Sequence, residues 1–282
     1  MNQTYLYRKH LRTPLSYLLI YVSTIFIGIA LLTFGLFFTD RRRLDTTLVL
    51  IICIVLLITY AIITIEFVIL YFLLFRKFRE ISVTLTEDSI IYTKGKSCKI
   101  IPYSDIISLR FPSIKYAGGW VKIKYHGGTI RLTVVLEEIG DFISKLKEKL
   151  DELGMNQVYN EKKLFSFYKT AVFSDESWDR IYRNFKSYVL INFLSIIINT
   201  IVLGFSNISR ENKALLYGSI FAPLVGLLLS EILIGMRVRK RVDCENLTLL
   251  PRDIRIEHKT YFISVIISSC AYSIILVVFG LL

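Results

Sequence analysis

Five long apolar runs constrain the fold of this chain more than any other feature of its sequence. A bilayer core needs about 20 consecutive apolar residues per helix. The runs that reach this length are residues 14–38, 47–75, 188–206, 214–236 and 261–282. Soluble helices are usually shorter and amphipathic, and the mean hydropathy of +0.53 also favours membrane segments. The sequence therefore predicts an α-helical membrane protein with five spans, the first of which is too long for a cleaved signal peptide.

Positive charges flank these runs unevenly, and this asymmetry predicts an orientation. Five spans place most of the flanking basic residues on one side: Arg8, Lys9, Arg12, Arg76, Lys77, Arg79, Arg180, Arg183, Lys186, Arg237, Arg239, Lys240 and Arg241. The opposite side holds only residues 41–43, Arg210 and Lys213. We therefore expect the N-terminus, residues 79–154 and the basic loop 237–260 in the cytoplasm, and the C-terminus outside.

The net charge of +12 is mostly juxtamembrane. It is explained by orientation and by attraction to anionic membrane lipids. Nucleic acid is not an expected partner, because the sequence shows no stacking platform or recognition motif.

Residues 79–154 are the one sizeable soluble block, and their pattern changes from a period of two to a period of three or four. Alternation and turn residues predict antiparallel strands at 81–86, 90–93, 98–101, 105–111, 120–125 and 129–135. Apolar residues from Ile139 to Leu153 then recur at helical spacing, and Gly154 is a typical helix cap. The block is predicted to be an α+β module of antiparallel strands closed by a C-terminal helix.

This order of strands and helix resembles bacterial pleckstrin-homology (PH) domains. The phrases LTEDSIIYTKGK at 85–96, IPYSDIISLRF at 101–111 and VKIKYHGGTIRLTV at 121–134 carry the resemblance. Two spans immediately upstream are similar to the membrane-anchored members found in bacteria. The resemblance implies a PH-like interaction module at the bacterial cell membrane, often oligomeric, with the chain itself or another membrane protein as partner.

Basic residues in this block are candidates for contact with a lipid surface or a partner: Lys94, Lys96, Lys99, Lys122, Lys124 and Arg131. A solvated sheet face, a headgroup pocket and weak non-specific surface contact are all compatible with them. The irregular segment 111–116 is apolar enough for a partner contact or a membrane-dipping tip, and it could equally pack on the sheet of its own module.

The C-terminal half divides into a linker with an interfacial helix at 155–187 and a membrane region at 188–282, after an N-terminal hairpin at 1–78. The sequence predicts a helix start at Ser174, which is followed by the acidic residues Asp175 and Glu176. Residues 247–257 resemble 83–92, which suggests either a decayed second module or a strand that pairs with the first.

Small and polar residues mark the predicted spans. Gly218, Ala222, Gly226 and Ser230 form a stripe suited to close helix packing, either within the protein or between copies. The intramembrane polar candidates are Glu66, Asn192, Asn199 and Glu231. Most of these fit hydrogen bonds between helices, and lining of a pathway is the alternative. Glu66 lies deep enough to need a partner or protonation.

No sequence pattern supports an enzyme, a metal site or a cofactor. The sequence favours a non-enzymatic membrane protein that presents its PH-like module for protein–protein or self-association. The alternative is a small transporter or channel subunit, or a membrane immunity factor against peptide toxins.

Overall fold

The computed structural model describes residues 2–39, 46–205, 218–242, 247 and 249–281. It is mostly helical and contains two small antiparallel sheets. The chain forms two units, Met1–Tyr103 and Ser104–Leu282, and the boundary falls inside the predicted 79–154 module. The basic run at 41–43 and the predicted outer loop with Arg210 and Lys213 lie outside the described residues.

The first unit contains a four-stranded antiparallel sheet in the order β1-β2-β3-β4. Its strands are β1 (Gln3–Leu6), β2 (Ile81–Leu85), β3 (Ser89–Lys94) and β4 (Ser97–Pro102). The last three confirm the predicted strands. Strand β1 was not predicted, because four residues are too few for alternation to stand out and its partner β2 lies far along the chain. Tyr5 of β1 pairs with Val83 of β2, and both side chains are buried.

The helices of the first unit follow β1. They are α1 (Lys9–Arg12), α2 (Leu15–Thr39), α3 (Thr46–Leu70), a π-helical turn (Tyr71–Phe75) and α4 (Arg76–Arg79). Helices α2 and α3 pack together. Ser23 and Tyr60 share a hydrogen bond of 2.7 Å between their hydroxyls, and the Phe26 and Tyr60 rings lie 4.9 Å apart.

The second unit contains a sheet built around one central strand. A 3₁₀ turn (Tyr103–Asp105) leads to β5 (Ile106–Arg110), β6 (Ser113–Ile114), β7 (Gly118–Tyr125) and β8 (Gly128–Thr133). Strand β7 pairs with each of the other three. One face of this sheet is buried, through Leu109, Val121, Ile123, Ile130 and Leu132. The strands predicted at 105–111, 120–125 and 129–135 are thus confirmed.

Helix α5 (Ile139–Glu152) is amphipathic as predicted, with Phe142, Leu146 and Leu150 buried. Gly154 has a φ of +69°, and its N–H donates to the Asp151 carbonyl at 2.9 Å. This left-handed residue ends the helix, which confirms the predicted cap.

A second 3₁₀ turn (Asn156–Val158) precedes α6 (Glu161–Phe205), a helix of 45 residues. The helix start predicted at Ser174 is therefore wrong. Ser174 Oγ instead donates to the Val134 carbonyl at 3.0 Å, and Asp175 Oδ2 accepts from the Gly140 N–H at 3.2 Å. Asp175 thus binds the first turn of α5, because the free N–H groups at a helix start donate hydrogen bonds to a nearby carboxylate.

Helices α7 (Gly218–Arg241) and α8 (Ile254–Leu281) pack against each other and against α6. Among the described residues, three helices are long and apolar enough to cross a membrane: Thr46–Arg79, Phe221–Val238 and Ile254–Val278. These three coincide with the second, fourth and fifth predicted runs. The first and third runs are helical in α2 and α6, and membrane crossing by these two stays a prediction.

The strand suggested for residues 247–257 does not form at their C-terminal end. Residues 254–257 form the first turn of α8, and Leu249 makes only an isolated antiparallel bridge to Val242. Asp253 begins the helix instead, because its Oδ1 accepts from the Ile256 N–H at 3.0 Å.

Two adjacent glycines of β7 give a test of the sheet of the second unit. A Cβ at Gly119 would lie 2.7 Å from the Pro112 carbonyl oxygen and 2.7 Å from Ser113 Cβ, whereas a Cβ at Gly118 meets nothing within 4 Å. We expect Gly119→Ala to destabilise the protein by about 1–3 kcal/mol through overpacking. Thermal unfolding in detergent measures the effect. Gly118→Ala is the matched control, and equal melting temperatures for the two variants would contradict this packing.

Candidate functional site

A cluster of charged side chains lies where α6, α7 and α8 meet. We call this cluster the charged junction, and its members are Glu176, Asp179 and Arg180 of α6, Glu231 and Arg241 of α7, and Arg252 and Glu257 at the start of α8. Arg180 is only 2% exposed, and Glu176 and Glu257 are also buried. Buried charges of this kind must be paired, because removing them from water is costly.

Arg180 and Glu231 form the centre of the charged junction. Arg180 Nε donates to Glu231 Oε1 at 3.0 Å, and Arg180 Nη2 donates to Glu231 Oε2 at 2.7 Å. Two parallel bonds of this type join a guanidinium to a carboxylate with fixed geometry. Glu231 lies within the candidate span Phe221–Val238, so the pair fixes α6 against α7 at the level of that span.

Further pairs surround this centre. Arg241 donates to Glu176 at 2.5 Å, and Arg252 donates to Glu257 at 2.7 Å and to Asp179 at 2.5 Å. The spacing of four residues between Glu176 and Arg180 places both on one face of α6, with Arg180 Nη1 3.7 Å from Glu176 Oε2. Three arginines therefore face three glutamates and one aspartate, and Asp179 is also paired with Arg183.

The charged junction is not fully hydrogen-bonded. Within the described part of the chain, Arg180 Nη1 and Glu176 Oε1 are buried without a hydrogen-bond partner. Their charges are nevertheless compensated, since Arg180 Nη1 lies 3.7 Å from carboxylate oxygens of both Glu176 and Glu257. The charged junction therefore depends on mutual charge pairing, which makes it sensitive to the loss of any one member.

The segment before α8 is held by the same charged junction. Burial lowers the pKa of Arg252, but its hydrogen bonds to Glu257 and Asp179 outweigh burial and raise the pKa overall. Tyr168 on α6 donates to the Leu247 carbonyl at 2.6 Å, and the Leu250 N–H donates to the Arg241 carbonyl at 3.1 Å. These bonds tie both sides of the α7–α8 connection to the helices.

A second polar layer lies nearer the other end of the three helices. Asn199 is fully buried; its Oδ1 accepts from Ser273 Oγ at 2.7 Å, and its Nδ2 donates to Ser195 Oγ at 3.5 Å. Asn192 is half-buried beside Tyr188. The bond between Asn199 and Ser273 joins α6 to α8, whereas the contacts with Ser195 and Tyr188 lie within α6.

Glu66 differs from the other polar candidates. It lies on an exposed face of α3, and no residue in the described ranges hydrogen-bonds to it. The structure brings Glu231 and Asn199 into the helix contacts of the second unit, and it does not bring Glu66 to a described partner.

The predicted stripe of small residues lies against α8. A Cβ at Gly226 would lie 2.5 Å from Val265 Cα, and a Cβ at Gly218 would meet the Tyr272 ring. The Ala222 carbonyl accepts from Ser268 Oγ at 2.6 Å. Ser230 is buried and donates to the Leu227 carbonyl of its own helix. In this arrangement the stripe permits close packing inside the protein.

The six predicted basic residues fall on different units. Lys94, Lys96 and Lys99 are exposed around the turn between β3 and β4 in the first unit. Lys122, Lys124 and Arg131 lie on the outer face of the second sheet, where Lys122 and Arg131 are directly opposite each other.

Arg110 pairs with Lys122 from the other side, so three cations form a row across β5, β7 and β8. Sequence reasoning missed Arg110, because its place in the row depends on strand register.

Part of the segment 111–116 packs inside its own unit, and part of it is exposed. Phe111 is buried against Phe167 of α6, with ring centroids 5.5 Å apart, and Tyr116 packs on Phe173. Ile114, by contrast, is 74% exposed.

The charged junction itself was missed by sequence reasoning, apart from Glu231. The spacing of Glu176 and Arg180 was a usable signal, but their partners lie more than 50 residues away. The part of the chain that the structure describes holds no group of three or more His, Cys, Asp or Glu side chains suited to a metal ion. Comparison with protein-family models, curated proteins and solved structures finds no match for this chain.

The Arg180–Glu231 pair can be tested with a double-mutant cycle. We expect Arg180→Met to destabilise the protein by about 3–5 kcal/mol, because it leaves the Glu231 carboxylate, whose side chain is only 16% exposed, unpaired. The double variant Arg180→Met with Glu231→Leu should recover more than half of this loss, since it removes both charges. The measurement is the unfolding midpoint in detergent micelles, followed by tryptophan fluorescence.

Arg183→Met provides the control, because Arg183 pairs with Asp179 one turn further along the same helix at an exposed site. An exposed pair of this kind contributes under about 1 kcal/mol. Additive effects of Arg180→Met and Glu231→Leu would contradict the pairing.

Proposed function

We propose that this protein is a non-enzymatic integral membrane protein that holds a PH-like module at the cytoplasmic membrane surface for association with another protein or with its own copies. The observation that carries the proposal is the continuity of α6. One helix of 45 residues runs without a break from the sheet of the second unit into the contacts with α7 and α8.

The N-terminal part of α6 belongs to the core of the sheet region. Leu164, Phe167 and Ala171 are buried, and α6 packs against α5, β6 and β7. Its C-terminal part is apolar and carries Asn199, which bonds to α8. Because a continuous helix is rigid along its length, this arrangement favours a module that is held in a fixed orientation relative to the bilayer.

The order of elements supports a PH-like module. Strands β2 to β4, then β5 to β8, and then α5 follow the order that the resemblance implies. The cytoplasmic location rests on the basic residues next to the candidate spans, among them Arg237 and Lys240. The bacterial cell membrane follows from the same resemblance and is part of the proposal.

Transport or toxin immunity is the competing function. It draws support from Glu66, which lies exposed in an apolar helix. Asn199 and Glu231 favour association instead, because their polar groups are engaged in helix–helix hydrogen bonds.

Native mass spectrometry of the full-length protein, extracted gently from its own membrane, tests the proposal. We expect a defined homo-oligomer or a complex with one co-purifying protein at fixed stoichiometry. A photo-crosslinking residue at Ile100, which is 67% exposed on the edge strand β4, should give one discrete adduct, because edge strands offer unpaired backbone groups to a partner.

The same photo-crosslinking residue at Ile267, which is 61% exposed on α8, is the control for random encounters in the membrane. Dilution with excess lipid should leave the Ile100 adduct unchanged. A monomer without an Ile100 adduct, or a reporter fusion at residue 120 that reads as non-cytoplasmic, would contradict the proposal.

A further inference from the structure

Three cations stand side by side on the outer face of the second sheet. Arg110, Lys122 and Arg131 are direct cross-strand neighbours on β5, β7 and β8, and Lys124 is the next outward residue along β7. We call these four residues the basic face. Neighbouring strands lie about 4.8 Å apart, and like charges directly opposite each other destabilise a sheet.

Nothing in the described part of the chain compensates this repulsion. Strands β5, β7 and β8 contain no Asp or Glu. No ion pair joins a member of the basic face to any other described residue. Arg110, Lys124 and Arg131 are exposed, and Lys122 is half-buried. A bound external anion would therefore reduce the repulsion between these cations.

Exposed apolar side chains border the basic face. Trp120 lies two residues before Lys122 on the same side of β7 and is 41% exposed, and Ile114 of β6 is 74% exposed. Lys115 lies beside Ile114. Tryptophan, aliphatic side chains and cations in this combination are typical of segments that insert at the membrane interface.

The turn that carries these apolar side chains packs on α6 close to the end of a candidate membrane span. The Tyr116 N–H donates to Thr170 Oγ1 of α6 at 3.3 Å, and the Tyr116 ring meets Phe173 edge-on at 5.6 Å. The Phe173 ring in turn lies 2.9 Å from the position of a Cβ on Gly235. Gly235 is three residues from the end of the candidate span Phe221–Val238. The turn around Tyr116 therefore packs on the part of α6 whose Phe173 lies against the end of that span.

We propose that the turn of residues 112–120 and the adjacent basic face form a binding site for anionic phospholipid headgroups. Ile114 and Trp120 enter the interface, and the row of Arg110, Lys122 and Arg131 contacts phosphate groups beside them. This site goes beyond association with a protein partner, because it makes the position of the module depend on the lipid composition of the membrane.

Tryptophan fluorescence tests the proposal directly, because the chain has only two tryptophans. Trp178→Phe leaves Trp120 as the single reporter. The full-length variant is reconstituted into phosphatidylcholine vesicles with or without phosphatidylglycerol, both containing lipids brominated near the headgroup end of the acyl chain. We expect quenching of Trp120 that increases with the phosphatidylglycerol content and decreases with added salt.

Two sets of substitutions separate the site from a general charge effect. In the Trp178→Phe background, Arg110→Gln, Lys122→Gln and Arg131→Gln together should abolish the dependence on phosphatidylglycerol, with headgroup affinity reduced on the order of a hundredfold. Lys94→Gln, Lys96→Gln and Lys99→Gln remove the same charge from the first unit and should leave the quenching unchanged. Ile114→Ser should weaken quenching in both lipid mixtures.

The same triple substitution of the basic face has an independent expected effect on stability. Because it removes like-charge repulsion across β5, β7 and β8, it should raise the melting temperature in uncharged detergent. This readout also shows that the variant is folded. A lower melting temperature would contradict the absence of compensating partners.

Three results would overturn the proposal. Trp120 that is not quenched in either lipid mixture would place the turn outside the interface. Quenching that is independent of both the phosphatidylglycerol content and the triple substitution would show that the basic face does not take part in lipid binding. Binding of labelled single-stranded DNA that disappears with the triple substitution, without a change in quenching, would identify the basic face as a nucleic-acid surface.

Discussion

The hydrogen-bonded pair of Arg180 and Glu231 is the interaction on which the arrangement of the C-terminal helices depends. Both groups lie at the level of a membrane span, where an unpaired charge is expensive. The two parallel bonds between guanidinium and carboxylate form at only one register of α6 and α7. Glu176 and Glu257 extend the same constraint to Arg241 and Arg252, and hence to the start of α8. A nonpolar contact would tolerate sliding of these helices, and the charged junction does not.

Helix α6 connects the charged junction to the sheet of the second unit. Its Ser174 binds Val134 just after β8, and its Asp175 binds the first turn of α5. Its Phe167 and Phe173 hold the segment between β5 and β7. The sheet of the second unit is thus fixed to the same helix that forms the charged junction. A partner or lipid that binds this sheet acts on an element that is continuous with the membrane region.

The like charges of the basic face repel one another across the sheet, and this repulsion does not stabilise the fold. Sheets usually avoid like charges on adjacent strands, yet Arg110, Lys122 and Arg131 are opposed across three strands. Proteins break local rules of this kind most often at functional sites. The exposed Trp120 and Ile114 beside this face, and the packing of Tyr116 on Phe173 next to Gly235 of α7, support a role at a lipid surface.

The sequence by itself determined the features that depend on local period. Apolar runs predicted the helices, alternation predicted β2 to β5, β7 and β8, and a period of three to four predicted α5 with its Gly154 cap. Tertiary structure alone decided the partners of charged residues. Arg180 meets Glu231 across 51 positions, Arg110 joins Lys122 only through strand register, and Asp175 serves α5 and not its own helix. Periodicity describes which face of an element a residue occupies, and it carries no information on what the opposite element places there.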